Sequence, residues 1–197
     1  MRPHDLVVID PNAIRSIDDA EIRAELERVP WAVVRRARCA REFVAIGVRG
    51  PSRAQRWPLV VLRTAIGTCV EPEALAWVRA PRDLPAFTAL ESVRLAAESL
   101  GMRWGPVGSV GFELATGVPV VQAQSDCDIV VRGASLAYDA FAGFARALAG
   151  SAVRIDVQIE FGDCGIALGE YLSSSERVMA KTPDGPQLLA RAELNAA

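Results

Sequence analysis

The most regular pattern in the chain lies in "AVRIDVQIEF". There Val153, Ile155, Val157 and Ile159 alternate with Arg154, Asp156, Gln158 and Glu160. A period of two predicts a strand with one face on a core and a polar face opposite. "SDCDIVVRG" reads the same way, with Cys127 and Ile129 facing the core and Asp126 and Asp128 facing away. "PAFTALESVRLAAESLG" instead has helical spacing. Leu90, Val93, Ala97 and Leu100 form one stripe, and Gly101 is the stop signal. "SLAYDAFAGFARALAG" predicts a second helix between the two strands. "IALGEYL" and the Gly/Pro turn "KTPDGP" lie near the end.

The first part of the chain is patterned differently. "SIDDAEIRAELERV" carries a capping-box pattern, Ser16 with Asp19 three residues on, and repeats Ile22, Leu26 and Val29 at helical spacing. Pro30 ends that helix. "WAVVRRA" and "EFVAIGVRG" predict a pair of strands split by polar "RCAR", and "GPSRAQRWP" predicts a loop. "PLVVLRTAIGTCV" fits strand or helix, and "EPEALAWV" a short helix with Pro72 in its first turn. The two prolines of "APRDLPAF" suggest a division into residues 1–80 and residues 81–197. Strands alternating with helices in the second half predict an α/β architecture, mixed α+β, with a mixed sheet flanked by helices.

Composition narrows the function classes. A 197-residue chain that is 51% hydrophobic can bury a real core. The N-terminus has no long apolar run of the secretory kind, and no stretch suits a membrane span, so a cytoplasmic location is expected. The four cysteines, Cys39, Cys69, Cys127 and Cys164, form no C-x-x-C pair and are expected to be buried free thiols. With His4 the only histidine, a histidine-ligated metal is disfavoured, and a Ser-His-Asp triad would have to use it; a structural hydrogen-bonding role is expected instead.

Residues 1–63 carry 12 Arg against 8 Asp+Glu, whereas the remainder carries 10 Lys+Arg against 16 Asp+Glu. A basic first third suggests phosphate groups or an acidic partner. Arg35, Arg36, Arg38 and Arg41 lie on and just after a predicted strand, where alternation would put Arg36 and Arg38 on one side. An aromatic content of 6% and a merely local basic excess argue against a nucleic-acid binder.

The candidate chemistry follows from the two predicted strands. Together they would present Asp126, Asp128 and Asp156 on one face. Like charges so close are costly unless a cation neutralises them, and hard divalent ions such as Mg²⁺ take carboxylate oxygens. Gly105, Gly108 and Gly111 around Ser109 suggest a turn whose backbone N–H groups approach a phosphate, with Ser109 adding a hydroxyl. Lys181, in the "KTPDGP" region, is a further phosphate candidate. Arg49, Arg53 and Arg56 of "VRGPSRAQR" are candidates to grip a long donor or its acceptor. Trp104 reads as packing rather than ring stacking. These residues alone leave open a nucleotidyltransferase that uses ATP on a small molecule or a protein, and a non-catalytic nucleotide-binding scaffold.

Gly-Ser, then D-x-D on a strand, then a lone Asp on a later strand resembles the DNA polymerase beta type nucleotidyltransferase superfamily. The gap from Ser109 to Asp126 is longer than that superfamily usually has. "RPHDL", "PWAVVRRA", "VAIGVRGPSRAQR", "WGPVGSVGFELATG", "QSDCDIVV", "RIDVQIE" and "KTPDGP" resemble, over nearly the whole chain, the malonate decarboxylase holo-acyl-carrier-protein synthases, which are phosphoribosyl-dephospho-CoA transferases. The resemblance implies that Asp126 and Asp128 are the catalytic pair; Cys127 stands where Leu is common. It implies transfer from 2'-(5''-triphosphoribosyl)-3'-dephospho-CoA to a serine of the acidic acyl-carrier subunit of malonate decarboxylase, with Mg²⁺ and release of diphosphate.

Overall fold

The computed structural model describes residues 1–52, 55–132, 137–191 and 193. The chain separates into two compact units, Met1–Glu71 and Pro72–Ala197. This division precedes the one expected at "APRDLPAF". The reason is packing: a Cβ at Gly105 would fall 2.0 Å from the carbonyl of Pro72, so the segment opening at Pro72 belongs to the second unit.

The first unit is built from β1 (Leu6–Ile9), α1 (Pro11–Arg15), α2 (Ala20–Arg28), β2 (Trp31–Val34), β3 (Phe43–Arg49), β4 (Arg56–Leu62), a 3-10 turn (Arg63–Ala65) and β5 (Ile66–Val70). The strands form one sheet in the order β4-β3-β2-β1-β5, antiparallel throughout. Ile14, Ile22 and Leu26 from the helices join Val7, Ile9, Val34, Val44 and Ile46 in its core. The segment that fitted either strand or helix forms two strands joined by the 3-10 turn.

Helix α2 starts later than the Ser16 pattern suggested. Asp19 is its cap, accepting from the N–H groups of Glu21 and Ile22 at 2.9 and 3.1 Å. Asp caps as well as Ser and stands directly before the apolar repeat. Ser16 instead closes α1, which the pattern did not reveal. Strand β2 stops at Val34, so Arg36 and Arg38 lie beyond it, and strand alternation does not put them on a common face.

The second unit contains α3 (Pro72–Leu75), α4 (Pro85–Ser99), β6 (Trp104–Pro106), α5 (Gly108–Thr116), β7 (Cys127–Arg132), α6 (Tyr138–Leu148), β8 (Ile155–Phe161), β9 (Cys164–Ala167), α7 (Leu168–Leu172), β10 (Arg177–Thr182) and β11 (Gly185–Ala190). Its sheet runs β11-β10-β9-β8-β7-β6. Among the described residues only β7 and β8 are parallel, which is the pairing that requires a crossover, and α6 lies in that crossover. Phe87, Leu90 and Val93 of α4 and Phe141 and Phe144 of α6 pack with Cys127, Ile129, Val131, Val157 and Ile159. Each fully buried side chain of this size contributes roughly 1.5–3 kcal/mol. Trp104 belongs to the same core, as its packing role required. The chain is a mixed α+β protein, and its described residues include no helix long and apolar enough to cross a membrane.

The cysteines are free, but not all are buried. Cys127 is fully buried, Cys164 is half-buried, and Cys39 and Cys69 are exposed. Cys39 lies in the polar loop after β2, and Cys69 lies on β5, whose central residues are exposed.

Candidate active site

Parallel pairing of β7 and β8 sets Asp128 opposite Asp156 in register. The Cys127 N–H donates to the Arg154 carbonyl at 2.9 Å and fixes this end of the pair. Asp126 lies one residue before β7. Apolar alternation carries Cys127, Ile129 and Val157 into the core, which turns the aspartates to the other face. The sequence pattern anticipated this face for Asp128 and Asp156, whereas Asp126 lies outside the paired residues.

Gly108 and Ser109 form the first turn of α5 rather than a free-standing loop. Gly108 has φ +60°, and a Cβ there would lie 2.0 Å from Asp128 Oδ2. The Val107 N–H donates to the Asp128 carbonyl at 2.9 Å, so the start of α5 is fastened to the carboxylate strand. Gly105 and Gly111 serve packing instead. A Cβ at 111 would meet the Pro106 carbonyl oxygen at 2.4 Å, just as one at 105 would meet Pro72. Of the three glycines, only Gly108 abuts an aspartate.

Two cations stand near the opposed carboxylates. Arg154 Nη2 pairs with Asp156 Oδ1 at 2.7 Å. Lys181 Nζ donates to Gln158 Oε1 at 2.8 Å. Gln158 follows Asp156 on the same face by two residues, about 6.6 Å along the strand. Lys181 is a β10 residue, not part of the turn that follows, and its register partner on β9 is Gly165. Gln158 also donates to Glu160 at 2.6 Å, Glu160 meets Arg132 at 3.8 Å, and Arg132 donates to Glu73 at 3.2 Å. A polar chain thus runs across the sheet. Sequence reading placed Gln158 and Glu160 on the outer face but missed that Glu160 is buried, because nothing local marks Arg132 as its partner.

The long path from Ser109 to Asp126 is also explained. Glu113, 2% exposed, accepts from Arg82 Nε and Nη2, both at 2.8 Å, and from the N–H groups of Val120 and Val121 at 2.8 and 2.7 Å. Burial pushes its carboxyl pKa up, but the Arg82 and backbone hydrogen bonds outweigh this and hold it below the usual value. Ser125 then closes a tight turn, accepting from the Gln122 N–H through its hydroxyl at 3.0 Å and donating its own N–H to the Gln122 carbonyl. Both residues deliver Asp126 to the head of β7. A lone Glu within the apolar "GFELA" was the available signal for Glu113.

Arg49 and Arg56 belong to the first unit, as register partners on β3 and β4, and Arg53 lies outside the described residues. His4 is in the first unit too. It has φ +76°, and its N–H donates to the Val34 carbonyl at 3.0 Å.

Two family models match the chain. The N-terminal domain of phosphoribosyl-dephospho-CoA transferase MdcG matches residues 2–72, and the C-terminal domain of the same protein matches residues 74–192. The chain belongs to this family. The transferase is 39% identical to the phosphoribosyl-dephospho-CoA transferase of Pseudomonas putida, over 96% of this chain and 93% of the relative. It is 38% identical to that of Pseudomonas aeruginosa, covering 95% and 91%, and 31% identical to that of Klebsiella pneumoniae, covering 96% and 94%. No solved structure matches it. Family membership makes this chain a phosphoribosyl-dephospho-CoA transferase.

Among the described residues no three His, Cys, Asp or Glu side chains are gathered as ligands for a metal ion. The donor set at the site is the opposed pair Asp128 and Asp156, with Asp126 at the strand head. That set fits Mg²⁺, which is commonly held by one or two carboxylates and completed by substrate phosphates.

Proposed function

We propose that the transferase moves the phosphoribosyl-dephospho-CoA group from 2'-(5''-triphosphoribosyl)-3'-dephospho-CoA to a serine of the apo acyl-carrier subunit of malonate decarboxylase. The observation that carries this reading is the register pairing of Asp128 with Asp156 beside Gly108. It supports the resemblance of these motifs to the polymerase beta type nucleotidyltransferases. The serine oxygen attacks the phosphorus next to the ribose. A new P–O bond forms, the bond to the next phosphate breaks, and diphosphate leaves with the electron pair.

Asp126 and Asp128 hold Mg²⁺, which when bound neutralises charge on the triphosphate. Asp156 completes the oxygen set or receives the serine proton; the pH profile of Asp156→Asn separates the two roles. Ser109 and the N–H groups beside Gly108 hold the outer phosphates, aided by the positive end of α5. Lys181 adds a cation along the same sheet face. Arg49, Arg53 and Arg56, with the basic excess of the first unit, meet the acidic carrier or the donor's diphosphate.

Intact-mass spectrometry of the apo carrier after incubation with enzyme, Mg²⁺ and donor tests this. The carrier should gain the mass of the phosphoribosyl-dephospho-CoA group. A gain of AMP from ATP, without any CoA derivative, would instead establish an ATP-dependent nucleotidyltransferase.

A further inference from the structure

Asp156 has a second neighbourhood. Beside it opens a cavity of about 410 Å³, walled by Leu148 at the end of α6, Ile155 and Val157 of β8, and Leu168 and Leu172 of α7. Small residues create the space, notably Ala145 on α6 and Gly169 on α7. A Cβ built at Gly169 meets nothing within 4 Å. Among the described residues, the only charged side chains in the lining are Arg154 and Asp156, which pair with each other.

The volume is at the small end for ligand sites, enough for one ring system rather than a whole coenzyme. Aliphatic walls cover the faces of a flat ring, while polar groups on the edge of that ring need polar partners, for which the lining offers Arg154 and Asp156. A pantetheine arm fits less well. It carries two amides, and beyond the Arg154–Asp156 pair the described lining offers their buried N–H and C=O groups no polar side-chain partner. Connectivity agrees. In the donor, one ribose separates the adenosine from the reacting phosphate, so the adenine must lie close to the catalytic carboxylates.

We propose that this cavity seats the adenine of the donor's dephospho-CoA moiety. The proposal rests on the transferase reading given above, and it assigns to α6, β8 and α7 the recognition of the group being transferred.

Calorimetry on the whole enzyme tests it, with AMP, dephospho-CoA and 4'-phosphopantetheine as probes. Gly169→Leu fills the cavity from one wall and Ala145→Leu from another. Thermal melting and circular dichroism check that each variant is folded. AMP and dephospho-CoA should each bind at least tenfold more weakly to both folded variants, and the donor's KM should rise in step while the carrier's KM holds. Wild-type affinity of both folded variants for AMP and dephospho-CoA overturns the proposal. So does selective loss of 4'-phosphopantetheine, which would make the cavity the seat of the arm. So does a rise in the carrier's KM alone, which would make it a docking site for the carrier. The AMP measurement needs neither carrier nor triphosphate. Failure of the adenine seat therefore appears in the calorimetry, and failure of the transferase reading appears in the carrier's mass.

Discussion

The carboxylate of Asp128 fills the space that a side chain at residue 108 would occupy. Gly108 is also held at φ +60°, a region that costs other residues about 1–2 kcal/mol. Gly108→Ala therefore strains the first turn of α5 and pushes Asp128 away from its place opposite Asp156. We expect kcat/KM to fall by about 10²-fold, the scale of a 1 Å misplacement, while the melting temperature drops by only a few degrees. Steady-state kinetics and a thermal melt on one preparation check this. Wild-type turnover would mean that the glycine serves only the backbone.

Asp126→Asn and Asp128→Asn should each lower kcat by at least about 10²–10³-fold, the range for losing one electrostatic stabiliser. Without metal or donor, Asp128→Asn should melt at the wild-type temperature or above it, because repulsion from Asp156 is relieved. Loss of activity together with a large fall in stability would mark Asp128 as a structural residue.

How legible this site was depended on whether the signal was local. The aspartate face could be read from alternation alone, because a one-residue slip would have buried both carboxylates of "SDCD". Long helices α4 and α6 were equally clear, since each carries an apolar stripe several turns long. Helix α1 was hidden because it is too short to show a period. The division between the units was misplaced because proline in a linker resembles proline at a helix start, and only the close approach of Gly105 to Pro72 separates the two. Arg82 and Glu113 are far apart in sequence, as are Arg132 and Glu160, and no periodicity links such pairs.

Glu113 gives the stability of this unit a pH dependence of definite sign. Its folded-state pKa lies below the ordinary value, so its contribution is fully present above the unfolded pKa of about 4.3 and is lost as pH falls through the folded value. Glu113→Gln should be less stable than wild type at neutral pH by roughly 1–3 kcal/mol, because the Val120 and Val121 N–H groups and Arg82 lose their charged acceptor. The gap between the two proteins should narrow below pH 4. Urea melts at pH 7 and at pH 3.5 provide the comparison, and a constant gap would show that Glu113 titrates alike in both states.

Thiol labelling separates the cysteines. Burial, together with the neighbouring Asp128 charge, pushes the Cys127 thiol up to about 12, so at pH 8 it is protonated as well as inaccessible. Burial and then Asp5 also raise the Cys69 thiol. A disulfide reagent should modify Cys39 first and Cys69 more slowly, and should reach Cys127 only at the rate of unfolding. Peptide mapping at timed intervals reads the order. Rapid modification of Cys127 in the folded protein would mean that the head of β7 opens under native conditions.

The pairing of Arg154 with Asp156 bears on how metal and donor bind. The pair is largely exposed, so it adds little to stability. It does place a positive charge beside one of the two opposed carboxylates. Repulsion between that charge and a divalent ion about 4 Å away in water is about 2 kcal/mol, which salt screening brings to about 1 kcal/mol, or several-fold in affinity. The free enzyme should therefore bind Mg²⁺ or Mn²⁺ weakly, and Arg154→Ala should bind either ion several-fold more tightly in the absence of donor. A triphosphate supplies metal ligands of its own and a new partner for the guanidinium. Donor should thus tighten metal binding in the wild type, and metal must tighten donor binding by the same factor. That shared factor should be smaller in Arg154→Ala, since part of the obstacle has been removed beforehand. Calorimetry with Mg²⁺, or Mn²⁺ resonance, with and without donor measures all four affinities. Tight metal binding by free wild type, unchanged by donor, would mean that the carboxylates form a self-sufficient metal site and that Arg154 has no part in ordering the two ligands.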